Sequence, residues 1–183
     1  TPERIVSRLG EVGLQFDPGT KLSYSSAGYT CLARIAELVE GKPYQQIIRD
    51  RVFAPAEMKG ALDPEPRELI PLAARDYLFM LDSQGKPSLE RAQPRDYAFL
   101  AGAGSVWATA EDLARLGRAL QSEKFGTGAL EQLSAMRSGD WVRLDGATGG
   151  FMSWLAINKR SQALVVCLTN IRTGAAGELT NRL

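Results

Sequence analysis

The residues with the clearest chemical potential are Tyr24, Ser25 and Ser26, in the stretch KLSYSSAGY at residues 21–29. A tyrosine hydroxyl can relay a proton to or from a serine nucleophile, and a serine hydroxyl can donate one hydrogen bond to a substrate. The same letters are also typical of a helix start, with Ser26 as the cap of a helix that runs from Ala27. Ser26 can cap that helix while Tyr24 keeps a proton-relay position, so both roles are compatible.

Histidine is absent from the 183 residues, and the cysteines are Cys31 and Cys167. The absence of histidine excludes Ser-His-Asp and Cys-His mechanisms and most zinc sites. A hydrolase with this sequence must therefore deprotonate its nucleophile with a lysine, a tyrosine or a carboxylate. The cysteines lie apart in apolar patterns that are typical of small core residues, so we expect neither a metal nor another cofactor.

The composition is that of an ordinary globular protein, with 44% apolar residues, 23% charged residues and a formal net charge of +1. Basic residues are scattered among acidic ones, which argues against a nucleic-acid partner. No apolar run approaches the roughly 18 residues of a membrane helix, so we expect no membrane span. The start TPERIVSRLG lacks the basic and apolar regions of a signal peptide.

Apolar periodicity predicts several helices ahead of a small antiparallel sheet. One helix ends at Gly41, and another begins with Thr109 as its cap. The stripe of the first consists of Cys31, Leu32, Ile35, Ala36 and Val39. Residues 62–95 favour a hairpin or a long loop, residues 151–171 favour a hairpin around Asn-Lys-Arg-Ser, and residues 141–144 favour a shorter strand. The final GAAGELTNRL is typical of the beginning of a helix.

Three segments occur in order: FDPGTKLSYSSAGYTCLARIAELVEGK, AGAGSVWATAEDLARLGRAL and DGATGGFMSWLAINKRSQALVVCLTN. They resemble the serine β-lactamase and penicillin-binding-protein superfamily, in particular the branch of class C β-lactamases, D-alanyl-D-alanine peptidases and related esterases. The resemblance implies an α+β fold, part of a β-lactamase/transpeptidase-like fold. Residues 1–140 would be mostly helical and carry a Y-x-N-like motif, and residues 141–183 would hold antiparallel strands and the start of the C-terminal helix. Both regions would belong to one incomplete domain.

That family uses a nucleophile motif S-x-x-K, a second motif Y-x-N or S-x-N, and a third motif K/H-x-G. The resemblance implies that Tyr24 is the catalytic base or proton relay, although a core aromatic is the alternative. It implies that Ser26, where Asn is usual, contacts the substrate or the lysine. The third motif has Leu144 in place of the cation, for which packing in a strand is the alternative. Its remaining residues would bind substrate, with the Ala147 N–H as an oxyanion donor: Asp145, Gly146, Ala147 and Thr148.

A serine followed three positions later by lysine occurs at Ser83-Gln84-Gly85-Lys86. Gly85 and Pro87 argue against a helix there, so we interpret this match as chance. The resemblance places the S-x-x-K segment ahead of the TPE helix, and the family's sheet includes further strands. A three-strand remnant leaves an unpaired edge and an uncovered apolar face. We therefore expect this chain to need a missing N-terminal segment in cis or a partner chain.

Two functions follow from the resemblance. The chain is a portion of a serine hydrolase that acylates its serine on amide or ester substrates, small molecules or peptides, and is inactive in isolation. Alternatively, it is a catalytically inert relative that binds a peptide, a cell-wall fragment or a protein partner, as the replacements at Ser26 and Leu144 suggest. A periplasmic or extracellular location is implied by the resemblance alone.

Overall fold

The computed structural model describes residues 2–65, 68–93, 95–134 and 139–172. The chain divides into two compact units, each assembled from several pieces of sequence. Unit 1 comprises Thr1–Arg51, Leu62–Leu69 and Asp96–Trp107, and unit 2 comprises Val52–Ala61, Ile70–Arg95 and Ala108–Leu183. The mixed helices and antiparallel sheets confirm the α+β class. The division of one incomplete domain into residues 1–140 and 141–183 stays a prediction.

Unit 1 is built mainly from helices. Its elements are α1 (Pro2–Leu9), α2 (Ser26–Glu40), α3 (Tyr44–Ile48) and a 3₁₀ turn (Tyr97–Leu100). A π-helical turn (Arg49–Phe53) follows α3 and ends in the first segment of unit 2. Helix α2 packs against α1 and α3. It ends where the sequence predicts, because Gly41 adopts φ 66° and donates its N–H to the Glu37 carbonyl at 2.9 Å.

Helix α2 carries the predicted apolar stripe, but that stripe faces outward. The side chains of Thr30 and Ala33 are buried, whereas Leu32, Ile35 and Val39 are exposed. Periodicity predicts the helix and its stripe, yet it does not determine which face packs when a polar face finds good partners. The uncovered apolar face predicted from the sequence was that of the sheet, so the exposed stripe on α2 is a separate finding.

Unit 2 contains the three-stranded antiparallel sheet in the order β3-β4-β5. Its strands are β3 (Trp141–Thr148), β4 (Phe151–Asn158) and β5 (Leu164–Thr169). The hairpin around Asn-Lys-Arg-Ser is thus confirmed as β4 and β5, and β3 is longer than predicted because it extends to the Gly149-Gly150 turn. On the central strand both faces are buried, since Leu155 and Ile157 point to one side and Trp154 and Ala156 to the other.

The core of unit 2 lies between this sheet and two helices, α4 (Ala110–Gln121) and α5 (Ala129–Ser134). Its buried cluster consists of Leu120, Leu130, Val142, Leu155 and Ile157. Helix α4 begins with the predicted Thr109 cap, which forms a capping box with Asp112. Asp112 also accepts the Gly60 N–H at 3.3 Å, so one fully buried carboxylate joins the helix start to a loop 52 residues earlier in the sequence.

A second sheet in unit 2 is the hairpin of β1 (Tyr77–Leu81) and β2 (Pro87–Arg91), which confirms the hairpin prediction for residues 62–95. Ser83 and Lys86 lie in its turn, where the Asp82 carboxylate accepts the Gln84 and Lys86 N–H groups. The match to S-x-x-K at these residues is therefore a β-turn, as expected from Gly85. The helix predicted for GAAGELTNRL lies outside the described residues.

Candidate active site

Tyr24 lies in an irregular segment immediately before α2. Its side chain is 76% exposed, and its ring lies 5.7 Å from the ring of Tyr29, measured between centroids. The core-aromatic alternative for Tyr24 is therefore wrong, because a core ring is removed from solvent. An exposed phenol held before a helix start is accessible to a substrate or to a neighbouring catalytic group.

The cap of α2 is Ser25, not Ser26. Ser25 has an extended backbone (φ −143°, ψ 111°), and its hydroxyl accepts the Gly28 N–H at 3.1 Å. The prediction that Ser26 caps the helix is wrong by one position, because the helix begins at Ser26 itself. Ser26 is exposed and its hydroxyl is not consumed by capping, so the substrate-binding role predicted for it stays a prediction.

The AGAG segment packs directly on α2 within unit 1. A Cβ at Gly102 would lie 2.6 Å from the Ala33 Cβ and 2.7 Å from the Tyr29 carbonyl oxygen, and Gly102 has φ +80°. Only glycine permits this approach together with this backbone conformation. Gly102 therefore allows this segment to pack closely against the helix that follows Tyr24.

A buried polar cluster in unit 1 escaped sequence reasoning. Asp63 is 7% exposed and Ser105 is 1% exposed, and neither the Asp63 carboxylate oxygens nor the Ser105 hydroxyl makes a hydrogen bond of normal geometry among the described residues. Burial raises the pKa of Asp63, while the nearby Ser105 hydroxyl lowers it in part. Burial, followed by the charge of Asp63, raises the pKa of Tyr44. A turn-like Leu-Asp-Pro sequence gives no signal of this burial.

In unit 2, the predicted substrate-binding residues form the second half of β3. Asp145 pairs with Trp154, Gly146 with Ser153, Ala147 with Met152 and Thr148 with Phe151. Strand β3 is an edge strand, and Asp145, Gly146 and Ala147 are exposed. A two-residue turn closes on a hydrogen-bonded pair, and such pairs alternate along the ladder. The Ala147 N–H is therefore directed away from β4, toward the outer edge of the sheet.

Leu144 packs against the buried cluster of unit 2. Its cross-strand partner on β4 is Leu155, which belongs to that cluster. The strand-packing interpretation of Leu144 is thus confirmed. Leu144, which the resemblance places at the cation of the third motif, is an apolar core contact.

Asp76 fixes the turn that ends β3. Its buried carboxylate accepts the Gly150 N–H at 2.8 Å, and a Cβ at Gly150 would lie 2.5 Å from the Tyr77 carbonyl oxygen. Tyr77 in turn donates its N–H to the Asn170 carbonyl at 2.8 Å. The start of β1 therefore clamps the β3–β4 turn and the end of β5, a contact across 74 residues of sequence that no local pattern predicts.

Among the described residues, no group of three or more His, Cys, Asp or Glu side chains is arranged to hold a metal ion. Cys31 and Cys167 are both free thiols. Within the same part of the chain, no helix has the length and apolar character that crossing a membrane requires.

Comparison of the sequence with known protein families identifies the class of protein. The model of the β-lactamase family matches residues 1–183, and the chain belongs to that family. Penicillin-binding protein 4 of Amycolatopsis lactamdurans is 28% identical over 202 residues, which cover 91% of this chain and 52% of that protein.

Solved structures agree on the fold. FmtA of Staphylococcus aureus superposes with a TM-score of 0.80 at 18% identity, over 99% of this chain and 54% of that one. The D-amino acid amidase of Ochrobactrum anthropi SV3, complexed with L-phenylalanine amide, gives a TM-score of 0.74 at 20% identity, over 93% and 57%. The chain spans about half the length of the relatives it matches, 49% and 52%.

Proposed function

We propose that this chain is the tyrosine-bearing portion of an acyl-serine hydrolase that acts on amide or ester substrates. The observation that carries the proposal is the exposed Tyr24 at the start of the capped helix α2, in a chain that belongs to the β-lactamase family. The serine nucleophile and its lysine would come from outside residues 1–183, since the one S-x-x-K match lies in a β-turn.

In the proposed reaction the serine hydroxyl loses its proton to the lysine or to Tyr24 as its oxygen attacks the substrate carbonyl carbon. The Tyr24 hydroxyl relays that proton to the leaving amine or alcohol, and an acyl-serine ester forms. Water then adds to the ester and releases the acid, with the proton returned to the serine oxygen. Ser26 contributes one hydrogen bond to the substrate or the lysine.

Within unit 2, and by family resemblance alone, the end of β3 is the candidate substrate-binding edge. The outward Ala147 N–H is suited to donate to the developing oxyanion, and Asp145, Gly146 and Thr148 are suited to line an extended substrate along the strand. The clamp from Asp76 to the Gly150 N–H supports this role, because an oxyanion donor must be held in place before the reaction.

The test is hydrolysis by the longest polypeptide that the gene encodes, with the 183-residue chain in parallel. The substrates are an activated ester, a chromogenic β-lactam and D-phenylalanine amide, the last because a structural neighbour is a D-amino acid amidase. The proposal predicts turnover of at least one substrate by a polypeptide that contains S-x-x-K, and none by residues 1–183. Turnover by residues 1–183 alone contradicts it.

A second candidate is an inert module that binds a peptide or cell-wall fragment. It is favoured by Leu144, which is committed to the core where the family carries a cation, and by Ser26 in place of Asn. Saturable amide NMR shifts near Tyr24 on addition of a D-Ala-D-Ala peptide would support it, provided the gene encodes no S-x-x-K ahead of Thr1. A flat titration would exclude that ligand.

A further inference from the structure

The start of α2 carries two aromatic side chains at a defined spacing. Ser25 is the N-cap and the helix begins at Ser26, so Tyr24 occupies the position before the cap and Tyr29 the fourth position of the helix. The side chain before a cap often packs against the one at the fourth helical position, an arrangement called the hydrophobic staple, which fixes the angle at which the chain enters the helix. In α2 both members of this staple are tyrosines.

The two rings have the geometry of an aromatic pair. Their centroids are 5.7 Å apart and their planes are inclined by 43°, and aromatic pairs prefer tilted arrangements at roughly 4.5–7 Å. Among the described residues, this ring contact is the interaction that the structure records for the Tyr24 side chain. Because Tyr24 is otherwise 76% exposed, the Tyr29 ring is the group that limits the directions in which the phenol points.

The backbone of Tyr29 is itself held from two sides. Its N–H donates to the Ser25 carbonyl at 3.3 Å, in the same turn in which the Ser25 hydroxyl accepts the Gly28 N–H at 3.1 Å. Its carbonyl oxygen lies against the AGAG segment, where a Cβ at Gly102 would approach it within 2.7 Å. The Tyr29 ring therefore projects from a fixed backbone position, and the segment that packs on α2 supports Tyr24 through it.

We propose that Tyr29 is a positioning residue, whose ring holds the Tyr24 phenol in the direction in which its hydroxyl transfers a proton. The inference deepens the proposed function and rests on it. A general acid–base group acts only within hydrogen-bond reach of the proton that it transfers, so a phenol without this contact would spend less time in the productive direction. The Tyr29 hydroxyl has no part in this role, because the contact joins the two rings.

Serine acylation by an activated ester tests the role, in the longest polypeptide that the gene encodes. Tyr29→Leu keeps an apolar side chain at the fourth helical position but removes the ring. We expect it to lower the acylation rate at saturating ester by about two- to tenfold, the effect of losing one aromatic contact. The ester concentration that gives half of this rate should stay the same, because Tyr29 does not bind substrate.

Two further variants separate the ring from its surroundings. Tyr29→Phe keeps the ring and should retain the parent rate of acylation. Phe79→Leu removes a similarly exposed ring from β1 and is the matched control, which should also retain that rate. An equal loss of acylation in Tyr29→Phe and Tyr29→Leu would overturn the proposal, since the ring would not be the acting group. If Tyr29→Leu does not fold, Tyr29→Met takes its place.

The sharpest comparison is a double-mutant cycle with Tyr24→Phe. Without the Tyr24 hydroxyl there is no group for Tyr29 to position, so adding Tyr29→Leu should cause no further loss of acylation. The same fold-loss in both backgrounds would overturn the proposal, because Tyr29 would then act independently of Tyr24.

The cycle also separates this inference from the proposed function. A parent rate in Tyr29→Leu, together with a large loss in Tyr24→Phe, overturns the positioning role and leaves the relay standing. A parent rate in Tyr24→Phe overturns the relay itself, and the positioning role with it.

Discussion

Asp63 is a carboxyl group buried without a good hydrogen bond, and it makes the stability of unit 1 depend on pH. Burial raises its pKa in the folded state above the unfolded value of about 3.9. The folded state therefore holds the proton more tightly, so this group contributes stability below pH 4 that is lost as the pH rises through the folded pKa.

We predict that Asp63→Asn raises the free energy of unfolding at pH 7 by about 1 kcal/mol, because it removes a charge that burial disfavours. The measurement is urea unfolding between pH 4 and 8 for both proteins. The advantage of the variant should shrink as the pH falls toward 4, because the raised pKa of Asp63 lets the folded parent take up a proton there. An increase in the free energy of unfolding that is the same at every pH would contradict the raised pKa of Asp63.

Tyr24 is predicted to act by its hydroxyl. In the longer polypeptide, Tyr24→Phe should lower the rate of serine acylation by about 10²–10⁴-fold, the usual effect of removing a general acid–base group. Tyr29→Phe is the matched control, since its ring is the neighbour of Tyr24 on α2. Equal effects of the two substitutions on acylation would count against a relay role.

At the scale of elements, the start of α4 depends on one buried carboxylate. Burial alone would raise the pKa of Asp112, but hydrogen bonds from the Thr109 backbone and hydroxyl and from the Gly60 N–H, with the charge of Arg115, lower it overall. Its stabilising contribution is thus present at neutral pH and is lost as the pH falls through the folded pKa.

Asp112→Ala should lower the free energy of unfolding at pH 7 by roughly 1–3 kcal/mol, because it leaves the Thr109 and Gly60 N–H groups without their acceptor. Glu111→Ala, at the exposed neighbouring position, should change it by less than about 0.5 kcal/mol. Thermal or denaturant unfolding followed by circular dichroism measures both. Similar losses in the two variants would contradict the capping argument.

The contact between β1 and the β3–β4 turn leaves no room for a side chain at Gly150. Gly150→Ala places a Cβ against the Tyr77 backbone, so it should destabilise unit 2 by roughly 1–3 kcal/mol and increase amide exchange near Thr148. Gly13→Ala meets open space and should be neutral or slightly stabilising. Unchanged amide hydrogen exchange near Thr148 in the Gly150→Ala variant would contradict this prediction, because it would show that β1 moves aside at little cost.

Local signals predicted the elements well. The Thr109 cap, the Gly41 stop and the β4–β5 hairpin each depend on residues within one or two turns of each other, where local chemistry decides the backbone. The faces that pack were less accessible to prediction. Ser25 caps the helix one residue before the predicted Ser26. The stripe of α2 faces outward because the other side of the helix has the partners: Arg34 pairs with a residue of α1, Glu37 accepts a backbone N–H of α3, and Ala33 lies under the AGAG segment.

At the scale of the whole molecule, the sequence identified the family and the candidate residues, but not the contacts that support them. Tyr24 and the end of β3 were recognisable from motif letters. The Asp76 clamp joins residues 74 positions apart, and the burial of Asp63 follows from the packing of three separate segments of unit 1. Such long-range contacts are set by the fold and leave no periodic signal in the sequence.

The central claim is that these residues hold the relay tyrosine of an acyl-serine hydrolase whose nucleophile lies elsewhere in the polypeptide. Its most direct test is intact-mass and peptide mass spectrometry after incubation with a β-lactam and with an activated ester. The claim predicts no adduct on residues 1–183 and one adduct in the longer polypeptide, located on a serine outside this segment. A stoichiometric adduct on a serine within residues 1–183 would contradict it.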